Sequence, residues 1–120
     1  VRPQSAKAKG RRLQQEVRDA ILARFPQLEA DDVRSTSMGA NGTDLLLSPA
    51  ARRVFPFSAE CGNQESINIW KKIAQAHAGA HPETTPIVVF RKNHTPPFVA
   101  LPWEIFLDLV EYRARVHASA

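Results

Sequence analysis

The sequence predicts an α/β fold: a central mixed sheet of about five strands flanked by helices, in the order helix, three strands, helix, two strands, helix. Two patterns carry that expectation. Apolar residues recur at three- and four-residue steps near the start, middle and end of the chain, and short apolar or alternating runs bounded by Gly, Pro, Ser and Asn lie between them. Length is the third observation, because 120 residues with 43% hydrophobic content suit one globular domain.

Residues 1–9 are small, polar and basic and read as a flexible basic arm, which leaves 10–120 as a single domain. From Gly10 the pattern turns helical: Leu13, Val17, Ile21, Leu22 and Phe25 share a stripe and Pro26 supplies a stop, so a helix is expected over 10–25. Residues 34–42 read as a short strand entering a loop rich in Ser, Thr and Gly, of the kind that brings backbone amides close to a ligand. A strand over 43–47 follows, with 48–51 as its turn. The run 53–60 alternates enough for a half-buried strand, although Pro56 marks an unpaired or bulged edge. Ile67, Trp70, Ile73, Ala74 and His77 then form the stripe of an amphipathic helix over 66–78. After a linker at 79–86, the compact apolar strand 87–90 has a partner at 98–101 across the turn 93–97. Pro102 opens the last helix, with Trp103, Phe106, Leu107 and Val110 expected on its buried side.

Composition narrows the partners. The 16 Lys and Arg against 12 Asp and Glu leave a net charge of +4, which favours a polyanion and puts nucleic acid first. The single cysteine, Cys61, excludes an internal disulfide framework, and no Cys/His cluster offers a structural zinc site. No apolar run approaches the roughly 18 residues that span a bilayer, and the basic N-terminal flank is not followed by the apolar core of a signal peptide. A soluble, cytoplasmic protein with no membrane partner is expected.

Three acids stand out by position: Glu16 on the first helix, Asp44 at the start of a strand and Glu60 at the end of the next. Consecutive strands usually pair, so Asp44 and Glu60 can converge at one edge of the sheet. Hard cations such as Mg2+ or Mn2+ take oxygen ligands and keep several waters, so two carboxylates and a backbone carbonyl suffice when a phosphate completes the shell. An ion held there would act as a Lewis acid on the phosphate and supply a water of lowered pKa. Each acid also has a plainer reading. Strand-end carboxylates are often only solvated, and Glu16 could pair with Arg12 one helical turn away.

The segments Gly10-Arg11-Arg12-Leu13-Gln14-Gln15-Glu16, Gly42-Thr43-Asp44-Leu45-Leu46 and Ala59-Glu60-Cys61-Gly62 together resemble the PD-(D/E)XK nuclease superfamily: a helix with a Glu, a strand with an Asp, and a strand ending in Glu-x-Lys. The likeness spans most of the chain. It is nearest to the small Holliday junction resolvases and stand-alone virus-type repair nucleases, because Ser35-Thr36-Ser37-Met38-Gly39 sits where the resolvases carry a Ser-containing loop. The resemblance implies a restriction-endonuclease-like core and a metal-dependent, structure-selective DNA endonuclease acting as a homodimer on branched or duplex DNA. It further implies Asp44, Glu60 and the Cys61 carbonyl as ligands of Mg2+ or Mn2+, with Glu16 supporting the site. Gly62 departs from the pattern, since the family carries there a lysine that orients the attacking water and neutralises developing charge. By that resemblance the chain is expected to be an inactivated Lys-to-Gly variant that binds DNA but cuts poorly. A lysine displaced onto the second helix, Lys71 or Lys72, and a natural nuclease fold that only binds are the alternatives.

Lys9, Arg11 and Arg12, Arg34, Lys71, Lys72, Arg91 and Lys92 can form a phosphate-binding surface, joined by Ser35, Ser37 and Gln64. Each taken singly also reads as a solvated charge or a turn residue. Trp70 and Trp103 lie on apolar stripes and read as packing residues. Cys61 has no His and acidic partner placed around it, and its side chain is expected in the core with only its carbonyl at the site. His77, His81, His94 and His117 lack metal-ligand or nuclease spacing. A different class stays open beside the nuclease: a non-catalytic basic α/β module that binds nucleic acid and whose acids are only surface charges.

Overall fold

The computed structural model describes residues 3–36 and 43–118. Helix α1 runs Pro3–Arg24 and so begins well ahead of the expected start at Gly10, taking in much of the segment read as a basic arm. The reason is propensity: Gln, Ala and Lys are good helix formers, Pro is pre-set for a first turn, and one interior Gly costs about 1 kcal/mol rather than ending a helix. Leu13, Gln14 and Ile21 are buried on its inner face, with Val17 half-buried between them. Arg18 fastens the helix to the segment leading into the first strand, its guanidinium donating to the carbonyls of Val33 (2.7 Å) and Ala30 (2.9 Å).

Strand β1 (Val33–Ser35) pairs antiparallel with β2 (Leu45–Leu47), Val33 opposite Leu47 and Ser35 opposite Leu45. Both are shorter than the sequence suggests, and residues 37–42 of the expected first strand and loop lie outside the described residues. The expected turn at 48–51 is instead the start of a short helix, α2 (Pro49–Val54), which also absorbs Arg53 and Val54 from the expected third strand. Ser48 caps it by accepting from the Ala51 amide (3.1 Å), with Pro49 in the first turn. Ser-Pro serves equally as a turn signal and as a helix start, and the cap decides. The Ser48 hydroxyl also donates to Asp32 Oδ1 at 2.6 Å.

Strand β3 (Phe57–Asn63) begins just past Pro56 and runs through Gly62. Helix α3 (Ile69–Gly79) crosses back to β4 (Thr85–Arg91), which lies parallel to β3 with Phe57 opposite Thr85 and Asn63 opposite Arg91. Asn68 caps α3 by accepting from the Lys71 amide at 3.1 Å. Strand β5 (Phe98–Ala100) closes antiparallel on β4, Phe90 opposite Phe98.

The α/β class stands, with mixed strand directions, but the strands form a three-stranded sheet, β3-β4-β5, and a two-stranded ribbon, β1-β2, rather than one sheet of about five strands. Side chains bridge the two where a backbone ladder was expected. The Thr43 hydroxyl donates to the Ala59 carbonyl at 3.0 Å, and the Cys61 amide donates to Asp44 Oδ2 at 2.7 Å. The main core lies around that seam: Ile21 from α1, Leu28, Val33 and Leu45 from the ribbon side, Ala51 from α2, and Ala59 and Ile87 from the sheet.

Helix α4 (Trp103–Ala118) follows β5 and buries none of its residues. Trp103, Phe106, Leu107 and Val110, expected on a buried side, are all exposed, Trp103 by 67%. Trp70 on α3 is 77% exposed and is likewise not a core residue. An apolar stripe shows which face of a helix seeks cover and leaves open what covers it. No described helix is long and apolar enough to cross a membrane.

Candidate metal centre

The seam between ribbon and sheet brings Asp44 and Glu60 together. Asp44 immediately precedes β2, half-buried, and its carboxylate accepts from the Cys61 amide at the edge of β3 that β4 leaves uncovered. Glu60 stands one residue earlier on β3, its side chain only 12% exposed. The two carboxyls are close enough to act on each other, the Asp44 charge raising Glu60. Burial first and then the Asp44 charge push Glu60 up to about 7, against the opposing charge of nearby Lys72. Asp44 is also raised by burial, with the Cys61 amide and then Lys72 opposing. Two carboxyls raised at one seam disfavour ionising together, and the Cys61 amide and Lys72 offset part of that at Asp44.

The donor set suits a hard divalent cation. Two carboxyls that disfavour ionising together gain a shared counterion when a cation replaces a proton, and the Cys61 carbonyl lies in the same corner. Among the described residues no group of three or more His, Cys, Asp and Glu side chains gathers for a metal, so an ion here would keep much of its shell as water or phosphate oxygen. The Cys61 side chain is buried as expected, and burial pushes its thiol well above the usual range, which removes it as a nucleophile.

Lys72 reaches this corner from α3. Its Nζ lies 3.8 Å from Glu60 Oε1 and 3.5 Å from the Cys61 carbonyl, and its side chain is only 19% exposed. Lys71 faces solvent, so of the two lysines weighed from the sequence the structure brings Lys72 to the acids.

Glu16 does not join the carboxylate pair. It is ion-paired with Arg91 on β4, and neither Arg12 nor the acids at the seam is its partner. The inward polar residue of α1 is Gln14, 1% exposed, which accepts from the Ser35 hydroxyl at 2.7 Å. Sequence reasoning missed Gln14, although a polar residue beside Leu13 and in phase with Val17 and Ile21 is the available signal. It also missed Asn63, buried at the end of β3, whose amide donates to the Lys9 carbonyl at 3.4 Å.

The remaining basic candidates are spread. Arg11, Arg12 and Arg91 line a shallow depression on α1 together with Gln15, Glu16 and Asp19. Gln64 and Lys92 line a small hollow with Phe90 and Phe98 beyond the end of β3. Arg34 is exposed on β1, Lys9 is half-buried and enters through its carbonyl, and Ser37 lies outside the described residues. A scan against protein-family models finds no match to this chain, and neither do searches of curated proteins and of solved structures.

Proposed function

We propose that this chain is a metal-dependent, structure-selective DNA endonuclease of the Holliday junction resolvase kind, its sheet and ribbon forming a restriction-endonuclease-like core. One observation carries the reading: Asp44 and Glu60, distant in sequence, meet as half-buried carboxyls beside the Cys61 backbone, Asp44 on its amide and Glu60 next to it on β3. Burying two acids against each other is unfavourable without a cation, and such arrangements concentrate at functional sites.

Asp44, Glu60 and the Cys61 carbonyl would hold Mg2+ or Mn2+, which when bound supplies Lewis acidity at the scissile phosphate and lowers the pKa of a neighbouring water. The chain's own residues do the rest. The Cys61 amide fixes the Asp44 carboxylate, the Ser35–Gln14 hydrogen bond ties β1 to α1 beside the seam, and Glu16 orients Arg91 toward the Arg11 and Arg12 surface. Those arginines, with Arg34, Lys71 and Lys92 elsewhere on the surface, would neutralise backbone phosphates, a sequence-independent grip suited to a partner recognised by shape.

The partner surface is read as homodimeric. The exposed apolar side chains of α4 continue into a groove lined by Val17, Ile21, Phe57, Val99 and Leu101 of the same chain. Two copies related by a two-fold axis would present helix to groove reciprocally.

The test is cleavage of a synthetic four-way junction and of linear duplex of matched sequence, with Mn2+ and with chelator. Junction cleavage that needs Mn2+ and is abolished in Asp44→Ala supports the reading. Junction binding with no Mn2+-dependent cleavage would leave a basic binding module.

A further inference from the structure

Phosphodiester hydrolysis gathers negative charge around phosphorus as water attacks, and two carboxylates alone make that worse. A cation at the site must offset it. The residue after Cys61 is Gly62, which has no side chain to offer. The space beside it is nonetheless filled. A Cβ placed on Gly62 would lie 3.2 Å from Lys72 Cε and 2.8 Å from Ile67 Cδ1, so the Lys72 stem runs where a side chain at 62 would begin. From there Nζ ends near Glu60 Oε1 and the Cys61 carbonyl, largely out of solvent.

Desolvating an ammonium is unfavourable unless acids repay it, and a lysine on a helix surface normally extends into water, as Lys71 does. Lys72 instead lies inward along the one residue of β3 that lacks a side chain there. Gly62 and Lys72 fit together: a Cβ at 62 would press first on Ile67 Cδ1, and Lys72 Cε would have to give by a few tenths of an ångström.

We propose that Lys72 is the catalytic ammonium of this site, delivered from α3 through the corridor that Gly62 leaves open, so that the chain is equipped to cut. This rests on the endonuclease reading. In the reaction the water oxygen forms the new P–O bond and the bond to the leaving sugar oxygen breaks. The water loses one proton to solvent and the leaving oxygen gains one. Lys72 transfers none of these; its charge faces the phosphoryl oxygens and holds the attacking water.

The experiment compares the unsubstituted chain, Lys72→Met, and Lys72→Ala combined with Gly62→Lys, in which alanine clears the stem from the space that a side chain at 62 needs. Methionine preserves most of the stem packed against Gly62 and Ile67, and thermal melts verify the fold. Calorimetry with Mn2+ alone is one readout: removing a cation beside the carboxylates should leave binding intact and tighten it several-fold, and returning a lysine at 62 should reverse that. Junction cleavage is the other, expected to fall about 10²–10³-fold in Lys72→Met and to recover at least tenfold in the double variant. Lys72→Met that cuts at the unsubstituted rate, or binds Mn2+ with unchanged affinity, overturns the assignment of Lys72 while leaving the endonuclease standing. An unsubstituted chain that cuts nothing overturns both, and is distinguished because the failure precedes any substitution.

Discussion

Glu60 makes the metal-free protein less stable as pH rises through the neutral range. Its carboxyl is pushed from an ordinary value of 4.5 up to about 7 in the folded chain by burial and by the Asp44 charge. Below pH 4.5 the group is protonated in both folded and unfolded states and contributes no penalty. Between 4.5 and 7 the unfolded chain releases its proton while the folded chain keeps it, so stability falls with each step of pH. Above 7 both states are ionised and the full penalty is present. Asp44, raised in the same direction, adds to the slope at its acid end. Each pH unit of displacement corresponds to about 1.4 kcal/mol, and solvent screening of a carboxylate that is not fully buried reduces the total to roughly 1–2 kcal/mol. Glu60→Gln removes the titration. In chelator-treated samples, urea unfolding of the parent and of Glu60→Gln should give a difference in stability that grows in favour of the variant from pH 4.5 to 8. Titrating groups away from the seam cancel in that difference, while Asp44, which acts on Glu60, contributes to it. A difference that stays flat across the range would refute the crowded carboxylate pair.

Three further outcomes are expected from other parts of the molecule. Ser48→Ala removes both the cap of α2 and the hydroxyl bonded to Asp32, and should lower stability by about 1 kcal/mol or somewhat more in a thermal melt; an unchanged melting temperature would contradict the cap. Phe106→Asp with Val110→Asp places charge on the exposed apolar row of α4 and should convert a dimer to a monomer by light scattering, whereas a parent already monomeric would remove α4 as a dimer surface. Arg11→Ala with Arg12→Ala should weaken junction binding uniformly across sequences and flatten its salt dependence by about 0.9 in log-log slope for each phosphate no longer neutralised; an unaltered slope would clear this surface of a role in the grip.

What was legible in the sequence depended on whether a local signal had one meaning. Asp44 and Glu60 were singled out on the rule that neighbouring strands pair, yet β2 and β3 share no ladder and Glu60 lies mid-strand rather than at a strand end; the Asp44 carboxylate on the Cys61 amide makes the approach instead. Helix α3 between two strands followed from helical and strand periods in succession, whereas the parallel pairing of β3 with β4 was not read from them. Ser48-Pro49 carried two meanings, and only the Ala51 amide on Ser48 separates a helix from a turn. Glu16 drew notice as an acid on the first helix, yet its phase on the helix puts it toward Arg91, while Gln14 is the residue that points inward. The division into sheet and ribbon rests on Thr43 and Asp44 side chains replacing backbone bonds at the β3 edge, and a hydrophobic pattern does not record that. For α4, the apolar period marks a face without naming its cover.

The central claim is that Asp44 and Glu60 form a divalent-cation site. Calorimetric titration of the metal-free chain with Mn2+ near pH 6, where Glu60 still holds its proton, repeated on Asp44→Ala and Glu60→Ala, tests it most directly. One site per chain, lost in both variants and accompanied by proton release from the displaced carboxyl, is the result expected. Heat of binding that is absent from the parent, or that persists unchanged in both variants, would contradict the claim.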